Sequence, residues 1–362
     1  MTEGEKYMRR CIELARNGEG RTSPNPMVGC VIVRQGRIIG EGYHRRAGEP
    51  HAEVNAIASV ENPEGLKEAT LHVTLEPCSH WGKTPPCADL IINKGIPRVV
   101  VGMVDPFAEV SGNGIRKLRE AGIEVEVGVL EKECRDLNRR FTTYHTQKRP
   151  YITLKWAQTS DGYLDNNRPA SVPATWMTGP VAKTFVHRLR AESDAILTGT
   201  NTIERDDPSL TVREGGGKNP LRVVLDRSLR LSPDARVFDG ETATLVLTGP
   251  GGAAKAKERY PRCETEEVDF SQGWPAILDL LYARKIQSLF VEGGAETLNS
   301  LISAGLWDEA YVFVSPLSVS DLAGGSSVEP LGVKAPALPG TICSETSIGG
   351  ATLYYTKREK DE

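Results

Sequence analysis

Two short stretches of the sequence carry the residue types of a catalytic metal site: His51 with Glu53, and Cys78 with Cys87. One imidazole and two thiolates suit a zinc ion, and three protein ligands leave the fourth tetrahedral position for water. Zinc lowers the pKa of such a water to near neutrality, which makes the water a nucleophile. Glu53, two residues after His51, could carry the proton to a leaving group. These four residues predict a zinc-dependent hydrolytic centre.

The neighbouring sequence predicts the elements that would position these residues. Pro50 and the run Ala-Glu-Val-Asn-Ala-Ile-Ala predict a helix with His51 and Glu53 in its first turn. Residues 71–75 have the pattern of a buried strand that leads to Cys78, and a second helix is predicted from Pro86 to Gly95. Helix N-termini favour thiolates over thiols, so two facing helix starts would hold the ion.

A single histidine or cysteine is more often a structural residue than a ligand, so the prediction depends on the combination. His-x-Glu, Pro-Cys and a second Cys at a helix start resemble the zinc nucleobase deaminases, in which the glutamate is the general acid and base. Their common form has two residues between the thiols, whereas here there are eight. The stretch with this spacing reads Pro-Cys-Ser-His-Trp-Gly-Lys-Thr-Pro-Pro-Cys, and upstream lies Thr-Ser-Pro-Asn-Pro-Met-Val-Gly-Cys. Together they resemble the deaminase half of the bifunctional riboflavin-biosynthesis deaminase/reductases, over roughly residues 1–145.

The resemblance implies substrate contacts for four polar residues of this half: Asn25, His44, His80 and Lys83. Asn25 lies between two prolines in a stiff loop, and its amide can donate and accept at once, as a pyrimidine edge requires. Cationic or hydrogen-bonding groups near the metal could hold a phosphorylated sugar. The alternatives are that Asn25 only caps a turn and that the other three are solvated surface residues.

Length and composition indicate the class of protein. At 362 residues the chain should form two domains, and a net charge of -4 with a pI near 6.0 offers no strong basic field for nucleic acid. Five of the seven cysteines are scattered outside the metal motif, which fits buried thiols in a reducing cytoplasm. The first ten residues lack the apolar core of a signal peptide, and no apolar run reaches membrane-spanning length. We therefore expect a cytoplasmic protein that binds neither nucleic acid nor membrane.

Apolar periodicity predicts alternating strands and helices in both halves. In the first half we expect helices at 5–17, 114–121 and 131–147, a hairpin of strands 28–33 and 37–42, and strands 98–104 and 124–129. The second half should have strands at 151–157, 194–199, 221–225, 244–247, 287–291 and 309–314, and a helix at 179–192. This alternation predicts mostly parallel sheets covered on both faces. Gln147-Lys148-Arg149-Pro150 is the expected boundary, giving domains 1–147 and 148–362.

The second half lacks the Gly-x-Gly-x-x-Gly fingerprint of a Rossmann domain. Instead, a predicted strand runs through Gly293-Gly294 into a helix, whose free N–H groups could bind a phosphate. The alternative is that a tight strand-to-helix turn needs the two glycines for steric reasons only.

Residues 154–162, 195–213 and 291–294 resemble the reductase domain of the same bifunctional family. The resemblance implies a cytidine-deaminase-like α/β/α sandwich followed by a dihydrofolate-reductase-like α/β domain that takes hydride from NADPH. It places the cofactor at Gln158, Trp176, Thr202, Asp206 and Gly294. It places the substrate at Arg190, Leu210, Arg213 and Glu292, with Lys155 as a polar partner of the sugar carbonyl.

Three departures from the family pattern concern particular residues. Residues 163–174 replace a short small-residue stretch, Gln158 stands where relatives often have a smaller residue, and Arg227 follows Asp226 where a small hydroxyl residue is common. We therefore assign no contacts in 163–174 or to Arg227.

The resulting hypothesis is a homo-oligomeric, two-step enzyme. Zinc-dependent deamination of a diaminopyrimidinone ribosyl phosphate, assisted by Glu53, would be followed by NADPH-dependent reduction of the ribosyl to the ribityl side chain. One alternative is a nucleic-acid-modifying deaminase, against which the pI and the long Pro-Cys loop speak. Another is a non-catalytic ligand-binding protein, against which the intact His51, Glu53, Cys78 and Cys87 speak.

Overall fold

The computed structural model describes residues 1–81, 85–107, 111–166, 168, 172, 175–322 and 332–358. The chain forms two compact units, Met1–Arg149 and Pro150–Glu362. Among the described residues, no helix combines the length and the apolar character needed to cross a membrane.

The first unit is built on a five-stranded sheet in the order β2-β1-β3-β4-β5. Its elements are α1 (Glu3–Arg16), β1 (Gly29–Arg34), β2 (Arg37–Tyr43), α2 (Ala52–Ala58), a 3-10 helix (Pro63–Glu68), β3 (Thr70–Leu75), α3 (Cys87–Asn93), β4 (Arg98–Met103), α4 (Asn113–Glu120), β5 (Glu124–Val127), α5 (Glu131–Leu137) and α6 (Arg139–Gln147). Strands β3, β4 and β5 are parallel. Strand β1 is antiparallel to both of its neighbours, so only half of the pairings in this sheet are parallel.

Alternate residues of β1 pack into two separate cores, one on each face of the sheet. Cys30 and Ile32 lie in the core covered by α2, α3 and α4. Val31 and Val33 lie in the core covered by α1 and α5. Because successive side chains of a strand point to opposite faces, this pattern gives the predicted α/β/α sandwich.

The single helix predicted at 131–147 is wrong, because the chain breaks at Asn138 into α5 and α6. Asn138 has φ -104° and ψ 26°, outside the helical range. Its side chain donates to Met27 O at 2.9 Å and accepts from Met27 N at 2.8 Å. The break therefore lets one buried amide fix the loop that carries Asn25.

The second unit is built on a nine-stranded sheet in the order β11-β10-β9-β8-β12-β6-β13-β16-β15, beside a two-stranded sheet of β7 and β14. Its strands are β6 (Tyr151–Gln158), β7 (Tyr163–Asp165), β8 (Ala195–Thr198), β9 (Leu221–Leu225), β10 (Thr244–Thr248), β11 (Glu264–Glu267), β12 (Ser288–Glu292), β13 (Glu309–Val314), β14 (Val333–Lys334), β15 (Ile342–Ile348) and β16 (Ala351–Lys357). Its helices are α7 (Pro180–Ala191), α8 (Thr200–Asp206), α9 (Ala253–Arg259), α10 (Trp274–Ala283), α11 (Ala295–Ser303) and α12 (Val319–Leu322), with 3-10 turns at Arg236–Phe238 and Phe270–Gln272.

Every pairing from β11 to β13 is parallel, and the last two strands add an antiparallel hairpin. Helices α10 and α11 cover one face of this sheet. Helices α7, α8 and α9 cover the other. The predicted α/β class is thus confirmed for both units, with a mostly parallel sheet in the second. Five strands of this unit were not predicted: β7, β11, β14, β15 and β16. In β15 the side chains are mostly exposed and have no apolar pattern.

Candidate functional site

The three predicted metal ligands meet at the ends of elements of the first unit. His51 caps the N-terminus of α2, Cys87 is the first residue of α3, and Cys78 follows β3. The Nδ1 atom of His51 lies 3.6 Å from Cys78 Sγ and 3.4 Å from Cys87 Sγ, and all three ligand atoms lie within 4.8 Å of one another. In a tetrahedral zinc site the usual bond lengths separate a nitrogen from a sulfur ligand by about 3.5 Å. The donor set therefore fits zinc in both chemistry and spacing.

The sulfurs of Cys78 and Cys87 lie close enough to shift each other's pKa. The Cys87 thiol hydrogen-bonds to the Cys78 sulfur, which lowers the Cys78 pKa to about 4, with His51 and the Cys87 backbone adding to the effect against burial. The same contact, together with burial, raises the Cys87 pKa well above its usual value. The Cys87 N–H donates to Cys78 Sγ at 3.3 Å. One sulfur is thus prepared as a thiolate, and zinc binding would displace the remaining proton.

Glu53 lies in the first turn of α2 and is 3% exposed. Burial, followed by the nearby Cys78 sulfur, raises the pKa of this carboxyl to about 7. It also hydrogen-bonds to the Cys87 thiol. A carboxyl with a pKa near neutrality can both accept and return a proton at the pH of the cell.

Asn25 and His44 form a pair beside the metal ligands. Asn25 Nδ2 lies 3.1 Å from His44 Nε2, and His44 Nδ1 lies 3.2 Å from the Pro50 carbonyl oxygen. Burial lowers the His44 pKa, and a neutral ring that donates from Nδ1 and accepts at Nε2 satisfies both contacts. The rings of His44 and His51 stand edge to face at 5.5 Å. The structure thus brings two predicted substrate residues to the metal site.

The other two predicted substrate residues of this half are His80 and Lys83. His80 is exposed, and its charge acts on the carboxyl of Asp105. Lys83 lies outside the described residues.

Two acids near the metal site, the buried Glu76 and the partly buried Asp105, were not predicted from the sequence. Glu76 accepts hydrogen bonds from the backbone N–H groups of Asp105, Gly112, Gly114 and Ile115 at 2.8 to 3.2 Å. Burial raises the pKa of Asp105 to about 6. Glu76 directly follows β3, and Asp105 lies just beyond the end of β4. These two strands are parallel, so their carboxyl ends lie at the same edge of the sheet. That position was the available signal, since such edges carry ligand sites in α/β folds.

The second unit contains a cavity of about 1360 Å³. The residues predicted for the reductase that line it are Lys155, Trp176, Arg190, Thr202, Asp206, Leu210, Arg213, Glu292 and Gly294. Gln158 is not among the lining residues, and its side-chain oxygen accepts a hydrogen bond from Trp156 Nε1 at 2.8 Å. The cavity is large enough for more than one small ligand.

A largely buried group of charges, Lys155, Arg190 and Glu292, forms one wall of this cavity. Lys155 of β6 is in register with Glu292 of β12. Arg190 donates to both oxygens of Glu292, at 2.7 and 2.8 Å. Burial raises the pKa of Glu292, but the charges of Arg190 and Lys155 outweigh burial and lower the pKa to about 2. Burial also lowers the pKa of Lys155.

Two helix starts approach each other at another wall. Gly199 caps α8 and Gly294 caps α11. A Cβ atom on Gly199 would lie 2.5 Å from Thr297 Oγ1, and one on Gly294 would lie 3.0 Å from Thr202 Oγ1. The steric reason considered for Gly294 is therefore real, and the same residues also line the cavity.

Asp206, predicted to contact the cofactor, forms an ion pair with Arg168. Arg168 is 6% exposed and also lies 3.3 Å from Asp165. Arg168 and its two acidic partners, Asp165 and Asp206, all line the cavity. Residues of the segment 163–174, to which the sequence analysis assigned no contacts, therefore contribute to this site.

Comparisons with known proteins agree with both halves of the structure. Residues 1–103 match the model of the cytidine and deoxycytidylate deaminase zinc-binding region, and residues 150–348 match the RibD C-terminal domain. The chain is 46% identical over 342 residues to the riboflavin biosynthesis protein RibD of Aquifex aeolicus, covering 91% of this chain and 93% of that protein. It is 38% identical over 341 residues to RibD of Escherichia coli, covering 91% and 92%.

Solved structures show the same similarity along the whole chain. The diaminohydroxyphosphoribosylaminopyrimidine deaminase/5-amino-6-(5-phosphoribosylamino)uracil reductase of Thermotoga maritima is 38% identical and superposes with a TM-score of 0.82, covering 98% of each chain. RibD of Acinetobacter baumannii is 31% identical and superposes with a TM-score of 0.86, covering 99% of each chain.

Proposed function

Because this chain belongs to the RibD family of bifunctional riboflavin-biosynthesis enzymes, we propose that residues 1–147 form its deaminase domain and residues 148–362 its reductase domain. The chain is a zinc-dependent hydrolase and an NADPH-dependent oxidoreductase that deaminates and then reduces its substrate. The substrate of the first step is 2,5-diamino-6-(5-phosphoribosylamino)pyrimidin-4(3H)-one. The observation that carries the proposal is the meeting of His51, Cys78, Cys87 and the buried Glu53 in one unit of a chain whose other unit holds the reductase cavity.

In the deaminase domain, His51, Cys78 and Cys87 would hold zinc, which supplies an activated water when bound. Glu53 would take a proton from that water and return it to the departing amine, so that ammonia leaves. The raised pKa of Glu53, about 7, suits both transfers. A carbonyl oxygen thereby replaces the amino group on the pyrimidine ring, and the sugar does not change.

Asn25 and His44 would recognise the pyrimidine ring of the substrate. His44 holds the amide of Asn25 through Nε2, and Pro50 in turn holds His44 through Nδ1. This chain of contacts fixes the orientation of an amide that can donate and accept along a pyrimidine edge. His80 and Lys83 would bind the phosphorylated sugar.

In the reductase domain, NADPH supplies the hydride when bound, and Trp176, Thr202, Asp206 and Gly294 would line its site. Lys155 would donate a hydrogen bond to the sugar carbonyl as it gains electrons. The charges of Glu292 and Arg190 act on Lys155 from close by. Leu210 and Arg213 also line the cavity and would contact the substrate. Gln158 is left out of this set because it bonds to Trp156 instead.

We further propose that the substrate is a free phosphorylated aminopyrimidine and not a nucleic acid, in line with the net charge of -4. Assembly into homo-oligomers is also expected, and light scattering coupled to size-exclusion chromatography would test it.

The activity is tested with purified protein and the diamino substrate, with and without NADPH. Ammonia release should not require NADPH, and NADPH oxidation should follow deamination. Deamination of a tRNA substrate in place of the free pyrimidine nucleotide would contradict the proposal, as would a zinc-loaded protein with neither activity.

A further inference from the structure

Helix α7 holds the segment 211–214 along one face. Lys183, His187 and Arg190 are spaced by four and three residues, so they share a face of the helix. Lys183 pairs with Glu214 Oε1 at 2.6 Å, and Arg190 Nη1 donates to Thr211 O at 2.8 Å. The segment is thus held at both ends by charged side chains of α7.

His187 holds the backbone of the last two residues of the same segment. Its Nδ1 atom accepts hydrogen bonds from the backbone N–H groups of Arg213, at 2.7 Å, and Glu214, at 3.1 Å. A ring nitrogen that accepts carries no proton, so His187 must be neutral with its proton on Nε2. The side chain is 2% exposed, and burial lowers its pKa to about 4, with Arg190 and Arg213 adding to the effect. His187 is therefore a fixed acceptor at neutral pH.

The guanidinium of Arg213 is available to a ligand. Arg213 lines the cavity, and within the part of the chain that the structure describes its guanidinium makes no hydrogen bond or ion pair. The arginines of the cavity that are paired with an acid are Arg168 with Asp206, Arg190 with Glu292, Arg205 with Asp165, Arg230 with Glu204 and Arg236 with Asp207.

Arg227 also lines the cavity without such a pair, but it follows β9, two strands from β12. Arg213 instead lies beside Arg190, since its backbone N–H donates to His187, three residues before Arg190 on α7. Arg213 thus belongs to the same side of the cavity as the charged group of Lys155, Arg190 and Glu292, where the sugar would be reduced.

We infer that His187 is a positioning residue, which directs Arg213 toward the phosphate of the reductase substrate by accepting from the Arg213 and Glu214 backbone. The inference rests on the proposed reductase function of this cavity. The phosphate is the anionic group of that substrate, and a guanidinium binds phosphate through two parallel hydrogen bonds, so its orientation matters. Loss of the acceptor would leave two backbone donors unpaired and let the segment move.

The test compares two substitutions at His187 in the full-length protein. Asn places its carbonyl oxygen where the imidazole has Nδ1 and so keeps the acceptor, whereas Leu has similar bulk and no acceptor. Steady-state NADPH oxidation is measured with the deaminated substrate varied at saturating NADPH, and then with NADPH varied. His187→Leu should raise the KM for substrate by about tenfold, as expected for a displaced charged contact, with kcat and the KM for NADPH nearly unchanged. His187→Asn should keep a KM close to that of the wild type.

Arg213→Met completes the experiment. It should raise the same KM at least as much as His187→Leu, and the double variant should be no worse than Arg213→Met alone. The inference is overturned if His187→Asn behaves like His187→Leu, if the two changes add, or if the KM for NADPH is the one that rises.

Two controls separate folding and function from positioning. Ammonia release by each variant reports on the intact first domain, and circular dichroism reports on the whole chain. If His187→Leu does not fold, a wild-type KM for His187→Asn beside a raised KM for Arg213→Met still supports the inference, and a raised KM for His187→Asn overturns it. A wild-type protein that oxidises no NADPH with this substrate would contradict the proposed function, whereas normal turnover with unaffected variants would contradict only the role of His187.

Discussion

Lys155 and Glu292 lie opposite each other on the neighbouring parallel strands β6 and β12. Glu292 is bound at both oxygens by Arg190, and the two cations lower its pKa to about 2, against the effect of burial. The carboxylate is therefore charged throughout the physiological range. A partly buried lysine beside a permanent carboxylate keeps its proton more easily than one alone, which suits a donor to a developing alkoxide.

Substitution Lys155→Met should lower the reductase kcat by about a hundredfold, because the carbonyl oxygen loses its hydrogen-bond donor. Ammonia release should not change. Stopped-flow NADPH oxidation on the deaminated substrate measures the effect, with the exposed Lys257 changed to Met as the control. Equal rates for the two variants would remove Lys155 from the mechanism.

The pH dependence of the reductase should also report on Lys155. Burial lowers its pKa below the ordinary value of 10.5, and the charged form is the one that donates. The protonated fraction therefore falls as pH rises through this lowered pKa, so kcat should decline on the alkaline side at a lower pH than for a solvated lysine. A wild-type kcat that stays flat up to the ordinary lysine pKa would disagree with this assignment.

Substitution Glu53→Gln should lower ammonia release by at least about a hundredfold, because Gln cannot accept and return the proton. Zinc content and NADPH oxidation on the deaminated substrate should stay at wild-type levels. Elemental analysis and the two separate assays give the three readouts. Loss of both activities would show that the domains do not work independently.

Substitution Cys87→Ser should lower the zinc content, because a thiolate ligand at the start of α3 is replaced by a hydroxyl. The matched control is Cys263→Ser, which changes a partly buried thiol of the second unit. Elemental analysis of both proteins after dialysis decides the result. Unchanged stoichiometry in Cys87→Ser would exclude Cys87 from the ligand set.

Substitution Glu76→Gln should destabilise the first unit by between about 1 and 3 kcal/mol, because an amide nitrogen cannot accept from the backbone N–H groups that one carboxylate oxygen now satisfies. Zinc should also bind more weakly, since Cys78 follows Glu76 by two residues. Urea unfolding with and without chelator measures both effects. Glu64→Gln, which alters only an exposed pair with Lys67, is the control, and equal stabilities of the two variants would contradict the role given to Glu76.

The sequence by itself determined the parts of this protein whose signal is local. His51, Glu53, Cys78 and Cys87 are recognisable because their types and spacing place them at the starts of helices and the end of a strand. Alternating apolar residues likewise determined the α/β class, since buried strands and amphipathic helices have different periods.

Only the tertiary structure decided which polar side chains meet across long separations in the chain. The bond from Asn138 to Met27 breaks a helix that local periodicity predicts as continuous, across 111 positions. Glu76 collects backbone donors up to 39 positions away, and His187 receives the N–H groups of residues 26 and 27 positions away. Such contacts leave no periodic trace in the sequence, because one buried acceptor is satisfied by whichever backbone the fold brings to it.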